Sequence, residues 1–161
     1  DCLTAGIDCL EHVYYITLPQ VERVKKEDRR VVYTPSYALN DQLLFKFSPH
    51  DREGSLREKE IICKCLSGAI EGGLKFGIGT DGLHQGLAQE ACYISGLGAK
   101  NRDVLAGITI NAARICGVDG NTGSIAEGKA ADFAVLEGNP LDDIEALKKV
   151  TSVIQDGTII F

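Results

Sequence analysis

An apolar, glycine-rich run that ends abruptly in an acid constrains this chain more than any other feature. Leu74-Lys75-Phe76-Gly77-Ile78-Gly79 leads straight into Thr80-Asp81-Gly82-Leu83-His84. A short apolar run bounded by turn residues reads as a buried strand. A buried strand that stops at a carboxylate delivers that group to the mouth of a barrel. Upstream, Ile7-Asp8-Cys9-Leu10-Glu11-His12 makes the same arrangement with a histidine at its end. Imidazole and carboxylate are donors that suit zinc, so His12 and Asp81 are candidate ligands of one metal site. Each also has a plainer reading. His12 fits a buried histidine satisfied by a backbone carbonyl, and Asp81 fits a cap for the residues after Gly82.

The rest of the chain alternates period in a way that fixes the fold class. After a helix end at Leu3-Thr4-Ala5, Gly6 to Val13 reads as a strand. Leu18 to Arg30 is helical, with Val21 and Val24 on one face and Pro19 in the first turn, where proline loses no hydrogen bond. Val31-Val32-Tyr33-Thr34 is a strand closed by Pro35. Ser36 to Gly54 is polar and irregular. Ser55 with Glu58 forms a capping box for a helix that stops at Gly72-Gly73. Helices follow over 87–97 and, capped by Asn101, up to Gly117. This β-α-β-α-β-α order predicts a parallel sheet with crossover helices. Past Gly117 the texture becomes short strands: 132–136, 150–154 and 158–161, the last two joined by an Asp156-Gly157 hairpin turn. The expected organisation is an α/β unit over 1–117 and a small β module over 118–161.

Composition excludes several function classes. A net charge of -6 argues against nucleic-acid binding, which needs a basic face. The densest basic stretch, Arg23 to Arg30, is interrupted by Glu27 and Asp28 and reads as a solvated helix face. No apolar run approaches the roughly 20 residues that span a bilayer. The six cysteines sit inside apolar or helical patterns and read as small hydrophobes of a reducing cytoplasm. Cys63-Lys64-Cys65 lacks the spacer and the second pair of a zinc knuckle. Gly77-Ile78-Gly79-Thr80-Asp81-Gly82 fits the dinucleotide fingerprint, but Asp81 would meet a pyrophosphate with like charge. The chain opens on Asp1 rather than Met, and the expectation is a processed form or a fragment.

Five motifs in order carry a resemblance: Gly79-Thr80-Asp81, Asn111-Ala112-Ala113-Arg114, Gly123-Ser124-Ile125, Glu127-Gly128-Lys129-Ala130-Ala131-Asp132 and Asn139-Pro140-Leu141-Asp142-Asp143-Ile144. The chain resembles, over nearly its whole length, the C-terminal part of the metal-dependent amidohydrolase superfamily, in its imidazolonepropionase-like and Xaa-Pro-dipeptidase-like branch. The resemblance implies the C-terminal portion of a (β/α)8 TIM-like barrel, its last three strands and helices, followed by part of a small β-sandwich. It places His12 at the sixth-strand histidine and Asp81 at the eighth-strand aspartate. It also implies one or two divalent metals, with Zn²⁺ expected. The family's His-x-His is absent here, and there are only three histidines.

The implied chemistry is hydrolysis of a dipeptide-like or cyclic amide C–N bond. Zinc would acidify a water to a pKa of about 7 and polarise the carbonyl. Asp81 would bind metal, take the water's proton and pass it to the leaving amine. His84, Tyr14 and Tyr37 are candidate substrate contacts. His84 fits a surface histidine equally well. Of Tyr14 and Tyr15, one is expected to line the pocket and the other to pack outward. His50 is expected in solvent, Arg114 in a scaffold ion pair and Asn111 in a structural role. A closed barrel needs about 250 residues, so this chain is too short for one. The expected partners are a small amide or dipeptide substrate and the missing N-terminal half of the barrel; a homo-oligomer is also open. On this reading the isolated chain is inactive. The rival reading is a non-catalytic subunit or remnant that pairs with a chain supplying the N-terminal half.

Overall fold

The computed structural model describes residues 2–41, 49–82 and 86–161. The first three strands are β1 (Cys9–Glu11), β2 (Arg30–Tyr33) and β3 (Gly77–Ile78), paired in parallel in the order β1-β2-β3. Register sets Glu11 opposite Val32, and Tyr33 opposite Ile78. All three therefore end on one edge. Helix α1 (Leu18–Lys26) joins β1 to β2, while α2 (Ser36–Leu39) and α3 (Pro49–Glu71) lie between β2 and β3. Then come α4 (Leu87–Gly96), α5 (Asn101–Ile108) and α6 (Ile110–Ile115).

Apolar periodicity explains which faces meet. In α1, Val21 and Val24 are 1% exposed and join Val31 and Tyr33 of β2, Ile62, Leu66 and Ala69 of α3, and Ala91 and Ile94 of α4 in one cluster. Tyr33 and Phe76 stack at 4.9 Å between ring centroids. Each such fully buried side chain contributes about 1.5–3 kcal/mol. The basic stretch after Val21 lies on the solvated side, with Arg23–Glu27 at 2.6 Å and Arg29–Asp8 at 3.1 Å. Gly77 lies in close approach to α6: a Cβ there would sit 2.7 Å from Ile115 Cδ1 and push that methyl aside.

Several local expectations are corrected. The strands are shorter than the apolar runs that contain them, because pairing ends where the backbone turns. The helix expected from Ser55 already begins at Pro49, so Ser55 is internal and does not cap. Part of the stretch expected to be irregular forms α2, and His50 lies in the first turn of α3. The helix expected from Asn101 to Gly117 is broken at Thr109, where φ is -127° and ψ -102°. Asn101 is the first helical residue rather than its cap; its side chain accepts from Ser95 Oγ at 2.8 Å and donates to Leu141 O at 3.1 Å.

The C-terminal segment forms a second sheet, β4 (Phe133–Leu136), β5 (Val150–Gln155) and β6 (Thr158–Ile159), antiparallel in the order β4-β5-β6. Asp156 and Gly157 both take positive φ in the β5–β6 turn, as a two-residue hairpin requires. Lys129 organises the glycine-rich approach to β4. Its ammonium donates to Asp119 O, to Thr122 O at 3.2 Å and to Ser124 Oγ at 2.8 Å, using all three donors. Gly123, at φ +83°, has no room for a Cβ, which would fall 2.6 Å from Ala113 Cβ. Asn111 donates to Phe76 O at 3.0 Å and ties α6 to the start of β3. The Gly-Ser-Ile to Lys motif and Asn111 are thus scaffold. Among the described residues no helix is long and apolar enough to cross a membrane.

Candidate active site

Because β1, β2 and β3 run parallel, the residues that follow them share one edge. His12 comes directly after β1, Thr34 directly after β2, and Asp81 three residues after β3. The ladder extends one step past the strands, with His12 N donating to Val32 O at 2.9 Å and Gly79 N to Tyr33 O at 2.9 Å. The backbone then breaks sharply. His12 has φ +67°, Val13 φ +47° and Asp81 φ +46°. Val13 N reaches back to Glu11 O at 2.8 Å, so His12 sits at the centre of a three-residue turn. Each such conformation costs about 1–3 kcal/mol for a non-glycine residue, and they concentrate at functional sites. Here both strand-end candidates carry one.

Thr34 is the centre of the local hydrogen bonding, and it is 4% exposed. His12 Nδ1 lies 2.7 Å from Thr34 Oγ1. The Tyr14 hydroxyl donates to Thr34 O at 2.7 Å and lies 3.2 Å from Thr34 Oγ1. The His12 and Tyr14 rings are 5.6 Å apart, tilted by 41°. Tyr14 turns inward and is half-buried, whereas Tyr15 is 56% exposed. Burial pushes the Tyr14 phenol up; the Thr34 hydrogen bond opposes this, and the charges of Asp81, Glu90 and Tyr37 reinforce it. Those three groups therefore bear on Tyr14 from the turn after β3, from α4 and from α2. Tyr37 is exposed, as is Asp81, whose carboxylate has no hydrogen bond or ion pair among the described residues. His84 lies outside the described residues. Arg114 Nε and Asp119 Oδ2 approach to 4.0 Å.

Sequence reasoning did not single out Thr34 or Glu90. Glu90 has no solvent exposure. Its Oε2 accepts from Ser36 N at 2.8 Å, while Oε1 has no partner among the described residues. A signal for Glu90 exists, since Leu87, Glu90, Ala91 and Ile94 form one helical stripe and an acid on an apolar stripe is anomalous. Thr34 carries no such signal, because threonine at a strand end is ordinary. Burial raises Glu90 above the usual carboxylate range; hydrogen bonding from Ser36 lowers it and Asp81 raises it further. A carboxyl whose folded pKa is raised binds its proton more tightly in the folded chain. The stability it contributes is full below about 4.5, its ordinary value, and is lost as pH rises through the folded value. Glu90→Gln should therefore flatten the decline of stability across the window above pH 4.5, as read by urea denaturation at several pH values. An unchanged pH profile would contradict this account.

As donors, the His12 imidazole and the Asp81 carboxylate fit a divalent metal. Nδ1 is held by Thr34, and no protein partner occupies Nε2 among the described residues. No group of three or more metal-binding side chains occurs among those residues, so these two are a partial donor set. An apolar groove of about 820 Å³ lies elsewhere, between Leu105, Ile108 and Ala112 of α5 and α6 and the strand residues Phe133, Leu136 and Val150.

Residues 9–160 match the Amidohydrolase family. The chain belongs to that family. This amidohydrolase chain is 29% identical to the ochratoxinase of Aspergillus niger over 98% of its own length and 34% of the relative's. It superposes on the crystal structure of A. niger ochratoxinase with TM-score 0.83 and 28% identity, covering 98% of this chain and 37% of that one. A Xaa-Pro dipeptidase with bound methionine in its active site gives TM-score 0.82 and 26% identity over 98% and 40%. A putative prolidase from Bifidobacterium longum gives 0.81 and 26% over 99% and 43%. The chain thus spans about a third of the curated relative it matches. Within the amidohydrolase family likeness, the mixed α/β architecture is that of a segment of these larger folds.

Proposed function

We propose that this chain is the C-terminal part of a metal-dependent amidohydrolase that cleaves dipeptide-like or cyclic amide C–N bonds. In this reading residues 1–117 are the last three strand–helix units of a (β/α)8 barrel, and 118–161 are a share of a small β-sandwich. The observation that carries the reading is the pairing of His12 and Asp81 on one carboxyl edge of a parallel sheet, each on a positive-φ turn. That edge is where barrel enzymes assemble their sites. The Xaa-Pro dipeptidase and ochratoxinase likenesses support the amide-bond class.

His12, through Nε2, and Asp81 would hold the metal, with Zn²⁺ the first candidate. When bound, such an ion supplies an acidified water and polarises the scissile carbonyl. The chain's own residues do the proton work. One Asp81 oxygen accepts the proton of the attacking water. The carboxyl then returns it to the leaving nitrogen, so the amine departs neutral. Tyr37 and Tyr14 are assigned to substrate contact, Tyr14 from its position beside the His12 ring. His84 is assigned to substrate on sequence alone. Six free thiols accord with a reducing cytoplasm.

The proposal is tested with the complete polypeptide that carries this chain and with the 161-residue chain alone. Metal analysis and a panel of Xaa-Pro dipeptides and N-acyl amino acids are the assays. The complete polypeptide should hold one or two divalent metals and lose turnover on chelation, and the isolated chain should be inactive. Metal-independent turnover, or turnover by the isolated chain, would overturn the reading. A second reading, a subunit completed by a separate chain, draws on the apolar groove and on sheet edges that pair with nothing among the described residues. Native mass decides between them: a heteromeric complex at 17.3 kDa plus a partner supports the second.

A further inference from the structure

We infer that Thr34 is a positioning residue that, together with Tyr14, locks His12 in the Nδ1–H form and presents Nε2 as a bare lone pair. The inference rests on the metal reading of His12 for its purpose, and on proton accounting for its content. Tyr14 has one phenolic hydrogen. A backbone carbonyl can only accept, so the 2.7 Å contact to Thr34 O takes that hydrogen. Because the shorter bond takes the phenolic hydrogen, we assign the second contact, 3.2 Å between the Tyr14 and Thr34 hydroxyl oxygens, to the hydrogen of Thr34. With its own hydrogen committed, Thr34 Oγ1 can only accept from His12 Nδ1, 2.7 Å away. Nδ1 therefore carries the ring proton. A neutral imidazole has one, so Nε2 has none.

The opposite assignment, Thr34 donating to Nδ1, would leave the 3.2 Å oxygen–oxygen contact without a hydrogen. The arrangement is well supported. Thr34 is buried, and the turn it opens is pinned at Ser36 N by the Glu90 carboxylate at 2.8 Å. The His12 backbone is held by its bond to Val32 O. Ring orientation and proton location are thus set before any ligand arrives. In general the partner of one ring nitrogen decides what the other can bind.

The test reads the proton directly. Long-range ¹H–¹⁵N spectra of the histidine-labelled chain, at about pH 8 where ordinary histidines are neutral, separate protonated from bare ring nitrogens. The chain has only three histidines, and the His12 signals are those lost in His12→Gln. The expected wild-type pattern is protonated Nδ1 and bare Nε2. Thr34→Val, which keeps the shape, should release the ring into a tautomer mixture, and Thr34→Ser should restore the single form. Tyr14→Phe makes a sharper demand. It frees the Thr34 hydroxyl to donate to Nδ1, so the proton should move to Nε2. In the complete polypeptide, Thr34→Val should weaken zinc binding by about 10–100-fold, with Thr34→Ser near wild type.

A wild-type ring in any other protonation pattern overturns the inference, as does an unchanged pattern in both Thr34→Val and Tyr14→Phe. The functional reading fails separately. If His12 has the expected tautomer but His12→Gln leaves the zinc content of the complete polypeptide unchanged, the metal role is removed and the Thr34 lock stands.

Discussion

Asp81→Asn in the complete polypeptide should lower kcat by about 10²–10⁴-fold, the range associated with loss of a positioned general base and acid. Asparagine keeps the shape of the side chain but has neither the charge to help hold a cation nor a basic oxygen to take a proton. Asp81 is exposed and has no hydrogen-bond or ion-pair partner among the described residues, so the change should leave the fold intact. A melting temperature within a few degrees of wild type is the control. The substitution also carries an electrostatic signature. The Asp81 charge raises both Glu90 and Tyr14; its removal should bring the Glu90 transition to lower pH. A variant that retains turnover within tenfold of wild type would remove Asp81 from the chemistry. A variant that loses turnover only because it unfolds would show in the melting control.

Leu66→Ala should cost about 2–5 kcal/mol of folding stability, the range for truncating a fully buried leucine. Leu66 has no solvent exposure and lies in the cluster that joins α1, β2, α3 and α4. The loss should appear as a lower urea midpoint with an unchanged slope. Domains of this size are stable by only about 5–15 kcal/mol, so this single change removes a large fraction of the total. The consequence for the site is indirect but definite. The strand ends hold His12, Thr34 and Asp81 only while this cluster holds the sheet. A midpoint shift below the equivalent of about 1 kcal/mol would mean that the site can collapse around the deletion.

The legible parts of this molecule were those written in short-range pattern. Val21 and Val24 three residues apart announce the buried face of α1, and both are essentially unexposed. The Asp156-Gly157 pair announces the hairpin, and both residues take the positive φ it needs. Where several local arrangements compete, the pattern misled. Ser55 and Glu58 have the spacing of a capping box, yet the helix starts six residues earlier, because Pro49 begins a first turn equally well. Thr109 broke a helix whose apolar spacing continues unbroken through Ile115; the break lets Asn111 donate to Phe76 O. That bond joins residues 35 apart in the chain, which no local spacing encodes.

By itself the sequence determined the order of most elements, the parallel α/β unit before the β module, and which family they belong to. Those properties follow from side-chain periodicity, turn chemistry and motifs read along the chain. It also determined that His12 and Asp81 terminate strands. Only the tertiary structure decided what surrounds them. Parallel pairing through the middle strand β2 put Thr34 against His12 and Tyr14, residues 22 and 20 positions away. Packing of α4 against the α2 turn buried Glu90 on Ser36 N, 54 positions away. Hydrogen bonds and burial of this kind depend on distance in space, and a sheet crossing brings together groups whose separation in sequence carries no information about their contact.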